Sequence, residues 1–156
     1  MLPRCGRLLD TNCCAPCFKH STRLVIYSKC LEETHPEALQ RLLANIPGLA
    51  ACPEAEHINM LGFKLASILT RCNIKEVIVA TVDGSMHCIQ LHFMVEELEK
   101  IFEGRFERRH LILVRGDFRE VSKEAVKIAR FLSKVERLRR GSATPGRNII
   151  DQHRKA

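Results

Sequence analysis

One stretch of this chain constrains its fold more than any other. The run 75–82 is a β-branched, apolar segment of strand length, and Asp83-Gly84-Ser85 follow it directly. A helical pattern then begins, with Leu91, Met94 and Val95 on one face. A strand, a turn and the start of a helix are typical of α/β proteins, in which ligands bind at the carboxyl ends of the strands. Backbone N–H groups and the positive end of the helix dipole point outward there, so we expect the working site at this turn.

Strands and helices alternate along the rest of the chain. Residues 22–28 and 110–114 are two further predicted strands, and helical spacing of apolar residues covers 57–72, 85–103 and 120–139, with a shorter helix from Thr34. Such alternation favours parallel pairing with right-handed crossovers. We therefore predict an α/β fold: a small open parallel sheet of three or four strands, helices on both faces, and a Cys-rich N-terminal lobe.

The length of 156 residues suits one hydrophobic core, and composition marks its limits. Residues 1–21 contain four cysteines among turn-forming residues and show no helical or strand period, so we predict a Cys-rich metal-binding lobe or loop. Residues 22–140 are the predicted α/β domain. Residues 141–156 contain little apolar material and are predicted to be a mobile basic tail.

The positive charge is concentrated near the carboxyl terminus. Residues 1–114 hold 13 basic and 13 acidic side chains, whereas residues 115–156 hold 12 and 5, which accounts for the net charge of +7. A basic helix can bind nucleic acid, but no aromatic residues alternate with these charges to stack on bases. Nucleic acid is therefore a less favoured partner than a redox protein or a larger enzyme.

Cysteine is the second informative residue type, with eight in the chain. No segment is apolar and long enough to span a membrane, and the first residues do not form a secretory signal. We therefore expect a cytoplasmic protein without membrane contact. Disulfides are rare in that compartment, so metal binding or redox chemistry gains weight.

The N-terminal cysteines give the more specific metal signal. Cys14-Ala15-Pro16-Cys17 is a CxxC pair whose thiolates can reach one metal ion or cluster. Cys52-Pro53 resembles the cysteine-proline ending of ferredoxin-type cluster motifs, although no C-x2-C-x2-C run is present. The predicted ligand set for an iron–sulfur cluster, with zinc as the alternative, is Cys5, Cys13, Cys14, Cys17 and Cys52.

A second candidate site follows from the expected parallel sheet, because its carboxyl ends share one edge. Cys30 follows the first strand, and Cys88 lies at the start of a helix, where the dipole favours a thiolate. His92 lies one helical turn after Cys88, so the second predicted metal site consists of Cys30, Cys88 and His92. Packed thiols and a hydrogen-bonded histidine are the equally weighted alternative.

Other polar residues at this edge are candidates for catalysis and cofactor binding. Asp83, His87 and Cys88 are the catalytic candidates. Gly84, Ser85 and Arg115 are the cofactor-binding candidates. Asp, Ser and Gly are also common turn and cap residues, so these side chains can serve only to shape the loop.

Three functions remain open at this point. The first is a metal-binding redox protein, a cysteine-ligated iron–sulfur electron-transfer or accessory module. The second is a zinc-dependent hydrolase or lyase with a Cys/His site at the strand ends, and the third is a binding module with structural zinc and a basic terminal helix. The chain contains none of the common nucleotide-binding, hydrolase or metalloprotease motifs that would decide among them.

Overall fold

The structure of the protein is a computed structural model that describes residues 5–142. All but the first two residues of the predicted 141–156 tail lie outside the described residues. The strands are β1 (Arg23–Ser28), β2 (Gly48–Ala51), β3 (Glu76–Val82), β4 (Glu107–Val114) and β5 (Asp117–Val121). A 3-10 turn (Pro16–Phe18) precedes the helices α1 (Leu31–Thr34), α2 (Pro36–Leu42), α3 (Ile58–Arg71), α4 (Ile89–Ile101), α5 (Lys123–Ala129) and α6 (Leu132–Gly141). None of the described helices is long and apolar enough to cross a membrane.

The five strands form one sheet in the order β2-β1-β3-β4-β5. The first four are parallel, and β5 pairs antiparallel with β4. The predicted α/β class is confirmed, but the predicted strand number of three or four is wrong. The sheet does contain β1, β3 and β4 side by side as expected.

The two missed strands lack the usual strand signal. β2 reads Gly-Leu-Ala-Ala, with no β-branched or aromatic residue, so its apolar side chains resembled a loop. β5 follows a two-residue hairpin turn in which Arg115 and Gly116 have φ values of 53° and 84°. Such left-handed pairs match the twist of antiparallel strands. The chain therefore turns back along β4 where one long helix over 120–139 was predicted, and α5 and α6 follow separately.

Apolar side chains cover both faces of the sheet. On one face, residues of α3 and α4 such as Leu65 and Leu91 pack with β1 and β3 residues such as Ile26 and Val79. On the other face, α1 and α2 contribute Leu31, Ala38 and Leu39 to a second core. These clusters lie in a compact unit comprising residues 1–123, and a second unit begins at Glu124. The helices thus lie on both faces, as predicted.

The described N-terminal segment packs along β2. The amide of Leu8 donates to the carbonyl of Ala50 at 2.8 Å, and the amide of Ala50 donates to the carbonyl of Gly6 at 3.2 Å. Leu8 is fully buried, and Phe18 is buried in the same core. A separate Cys-rich lobe is not confirmed, because this segment buries apolar side chains of its own.

Truncating Leu8 tests whether packing holds this segment. Leu8→Ala should lower the free energy of unfolding by about 2–5 kcal/mol, the usual cost of removing a buried leucine side chain. Urea denaturation measures this loss, and the exposed Met60→Ala is the matched control, with a change of about 0.5 kcal/mol or less. A Leu8→Ala protein as stable as the parent would mean that the segment is not docked.

Candidate thiol site at the carboxyl edge of the sheet

The strand order creates a switch point between β1 and β3. The connection from β1 runs through α1 and α2 to β2, whereas the connection from β3 runs through α4 to β4 on the other side. The two loops leave the sheet in opposite directions and open a crevice between them, where ligands bind in open α/β sheets. The carboxyl edge therefore remains the first place to look for function.

Three cysteines follow the ends of three adjacent strands at this edge. Cys52 follows β2, Cys30 follows β1, and Cys88 precedes α4 after the β3 turn. Partial burial raises the pKa of the Cys30 thiol, and the neighbouring Cys88 and Cys52 raise it further, Cys88 partly through a hydrogen bond. These effects act only between nearby groups, so the three thiols form one cluster, which we call the edge thiols.

Cys52 is held in place by a buried carboxylate. Its amide donates to Glu56 Oε2 at 2.8 Å, and Arg7 Nη2 donates to Glu56 Oε1 at 2.6 Å. The amide of Glu56 in turn donates to the Cys52 carbonyl at 2.8 Å. The β2–α3 loop is therefore closed at both ends around Cys52, and the Arg7 pair ties it to the N-terminal segment. Glu56 is a positioning residue that sequence reasoning missed.

The turn after β3 positions Cys88. Gly84 has a φ of 81°, a left-handed conformation that glycine adopts at no steric cost. The amide of Cys88 donates to Ser85 Oγ at 3.3 Å, and Cys88 is the N-cap residue of α4, with 8% of its surface exposed. Gly84 and Ser85, predicted to bind a cofactor, therefore at least shape this turn. Asp83 is exposed beside them.

The remaining candidates at this edge lie in different settings. His87 is half-buried in the turn before α4, and Arg115 is exposed at the tip of the β4–β5 hairpin. Ser28, the last residue of β1, is fully buried, and within residues 5–142 its hydroxyl has no hydrogen-bond partner. A buried hydroxyl without a partner costs free energy, so Ser28 is a further polar group at the edge for a ligand to satisfy.

His92 belongs to a buried polar network and is not placed with the edge thiols. Its Nε2 lies 2.8 Å from Thr81 Oγ1, and its Nδ1 lies 2.9 Å from Nδ1 of His110. Arg108 Nη1 donates to His110 Nε2 at 2.6 Å. Because arginine can only donate, His110 Nδ1–H must donate to His92, and His92 Nε2–H must donate to Thr81. Both imidazole rings are thereby neutral and fully engaged.

This engagement removes the imidazole from the second predicted metal site. Burial lowers the pKa of His92 to about 4. Burial first, then the charges of His92 and Arg108, lower the pKa of His110 to about 3. A histidine whose two nitrogens are already hydrogen-bonded cannot also bind a metal. Of the set Cys30, Cys88 and His92, the structure brings together only the two thiols, and Cys52 joins them.

The N-terminal cysteines do not form the predicted cluster. Cys5 and Cys17 are joined in a disulfide, so neither sulfur is a thiolate ligand. Cys13 and Cys14 lie near Cys72, whose thiol donates to the Cys13 carbonyl at 3.1 Å. Cys52 lies with the edge thiols instead. The ligand set Cys5, Cys13, Cys14, Cys17 and Cys52 is therefore revised, because the chain distributes these sulfurs over three places.

The edge thiols suit a thiophilic metal by their chemistry. Across residues 5–142, no group of three or more His, Cys, Asp or Glu side chains is arranged as a ready metal site. The three sulfur atoms nevertheless converge from separate strand ends, and a charged thiolate on one raises the pKa of the next. A soft cation relieves that repulsion, since thiolates are preferred ligands of zinc, copper(I) and iron–sulfur clusters. The donor set therefore fits such a group.

A family comparison agrees with the fold. No curated protein and no solved structure matches the chain. Residues 15–146 match the family model described as a Rossmann-like domain, a range that contains all five strands. The match covers more than half of the chain. This protein therefore belongs to the Rossmann-like domain family.

Proposed function

We propose that the protein is a metal-binding redox protein in which Cys30, Cys52 and Cys88 hold an iron–sulfur cluster. The observation that carries the proposal is the convergence of three thiols at the switch point of the sheet. Three residues so far apart in sequence share one edge only because the strands that precede them are adjacent and parallel. A structural role alone does not require three neighbouring thiols at a crevice.

The surroundings support a negatively charged sulfur centre. Cys88 begins α4, a helix of 13 residues, so its thiolate lies at the positive end of a helix dipole. Lys29 precedes Cys30 and is paired with Glu32 at 2.7 Å. The hydroxyl of Ser28 is a donor that can satisfy a sulfur atom, and hydrogen bonds to sulfur tune the potential of such centres.

The chain's own residues have distinct tasks in this proposal. Cys30, Cys52 and Cys88 bind, Glu56 orients Cys52, and Ser85 orients Cys88 through its amide. When bound, an iron–sulfur cluster supplies one-electron chemistry. Three protein thiolates leave one position for a ligand from outside this set, so we propose a redox partner protein or a larger enzyme as the neighbour.

Cysteine substitutions map the ligands. Cys30→Ser, Cys52→Ser and Cys88→Ser should each lower the iron and sulfide content of anaerobically purified protein by more than half, because a hydroxyl is a poor ligand for these ions. Cys14→Ser is the matched control and should retain both, since Cys14 is exposed and distant from the edge thiols. Circular dichroism at each substitution checks that the fold persists.

Two results would contradict the proposal. Metal that survives in all three edge variants but disappears in the Cys14→Ser protein would return the site to the N-terminal cysteines. A metal-free protein with a Cys30–Cys88 disulfide would replace metal binding with dithiol chemistry. Stoichiometric zinc without sulfide, lost in the edge variants, would keep the ligands and replace the redox role with the zinc alternative.

A further inference from the structure

A second concave site lies at the other end of the sheet. A cavity of about 470 Å³ opens beside the residues that precede β1 and β3, including Thr22 and Asn73. Parallel strands place these amino ends opposite the carboxyl edge that carries the edge thiols. The volume lies within the range of small-molecule sites, roughly 300–1,000 Å³. This cavity is therefore separate from the proposed metal centre.

The wall of the cavity is positively charged. Lys19, His20 and Arg71 line it, and no Asp or Glu does. Within residues 5–142, neither Lys19 nor Arg71 is paired with a carboxylate, and the Arg71 guanidinium donates through Nη1 to the Ser67 carbonyl at 3.1 Å. The carboxyl end of α3 adds a partial negative charge of about one half, which two full positive charges outweigh.

The same cavity has an apolar part. Phe18 lines it and is itself buried, and Ala15 lies beside it in the lining. Ser21 and Asn73 contribute polar groups that can donate hydrogen bonds. A site that combines two unpaired cations, a few hydrogen-bond donors and an aromatic surface suits a ligand with one anionic group and a short apolar body.

We propose that this cavity binds a small organic anion, with its carboxylate or phosphate against Lys19 and Arg71 and its apolar part against Phe18. The site is independent of the proposed iron–sulfur role, because it uses different residues at the opposite end of the sheet. Both ligand chemistries share the anionic group that the two cations recognise.

Cys14 provides a reporter in the cavity wall. Its thiol is exposed and lines the cavity, so the rates of its alkylation by iodoacetate and by iodoacetamide measure the local attraction for an anion over a neutral molecule. Mass spectrometry of the full chain gives both rates at Cys14. Arg71→Gln should lower the ratio of the two rates at least about threefold, because a positive charge near the thiol is lost.

Arg41→Gln is the matched control, since Arg41 and Arg71 both lie in the last turn of a helix but Arg41 is outside the cavity. It should leave the ratio unchanged. Lys19→Gln gives a second variant in case Arg71→Gln disturbs α3. Inorganic pyrophosphate should also slow the alkylation of Cys14 by iodoacetate in the parent and less in Arg71→Gln. An equal ratio in the parent and both cavity variants, or no protection by pyrophosphate, would overturn the proposal.

Discussion

Acidification from pH 7 to pH 4.5 is expected to destabilise this protein well before its carboxylates titrate. His92 and His110 have folded pKa values of about 4 and 3, whereas an unfolded histidine titrates near 6.5. Between these values the unfolded chain binds protons that the folded protein excludes, so stability falls as the pH falls through 6.5. The stabilising contribution is fully present above pH 6.5 and is lost progressively toward pH 4.

The expected effect is large. Each histidine contributes a slope of about 1.4 kcal/mol per pH unit once its unfolded form is protonated, so the pair contributes about 2.7 kcal/mol per unit. Typical domains have a total stability of only about 5–15 kcal/mol. Lys123 and Arg108 outweigh burial and lower the pKa of Glu99, so its contribution is lost only below pH 4.5. The window above pH 4.5 therefore isolates the two histidines.

Urea denaturation at a series of pH values measures this slope. His92→Gln should reduce it by about half, because one of the two excluded protons no longer exists. His35→Gln is the matched control, since His35 is half-buried at the start of α2 and is not in the network, and it should leave the slope unchanged. A free energy of unfolding that is constant from pH 6.5 to 4.5 would show that the histidines are solvated.

Removing the arginine at the end of this network should have a comparable effect. Arg108→Met is expected to cost about 3–5 kcal/mol, because Arg108 Nε donates to Glu99 Oε2 at 2.6 Å and only 8% of the arginine side chain is exposed. The substitution leaves a partly buried carboxylate with Lys123 as its remaining cation, at 2.7 Å. It also leaves His110 Nε2 without its donor.

The adjacent residue in β4 provides the control. Arg109 points to the other face of the sheet and forms two bonds of 2.9 Å to Glu120, in a pair that is about half exposed. Arg109→Met should therefore cost about 1 kcal/mol or less, as is usual for exposed ion pairs. Equal losses from the two substitutions, measured by urea denaturation at pH 7, would show that Arg108 is not part of a buried network.

The strongest local patterns were sufficient to predict the centre of the fold. Residues 75–82 combine β-branched residues with a following Asp-Gly-Ser turn, and the structure has β3 there, within one residue. The edges of the sheet were missed because β2 is formed by Gly48–Ala51, which becomes a strand only through its pairing with β1. Propensity cannot identify a strand that depends on tertiary pairing.

The same missed strand explains the error in the site. Without β2, Cys52 had no position in the sheet and was grouped with the N-terminal cysteines on the strength of its following proline. His92 has helical spacing to Cys88, but spacing does not show that Thr81 and His110 already occupy its nitrogens. Partners from other strands decide both cases, and a helix pattern contains no information about them.

The most direct test of the central claim is the visible spectrum of the full chain after anaerobic purification, with iron and sulfide analysis of the same sample. We expect a brown protein with thiolate-to-iron absorption, with iron and sulfide in equal amounts, and bleaching of the colour on reduction. The combined Cys30→Ser, Cys52→Ser and Cys88→Ser substitutions should abolish the absorption while the fold persists. A colourless parent protein without iron or sulfide, also after reconstitution with both, would contradict the account.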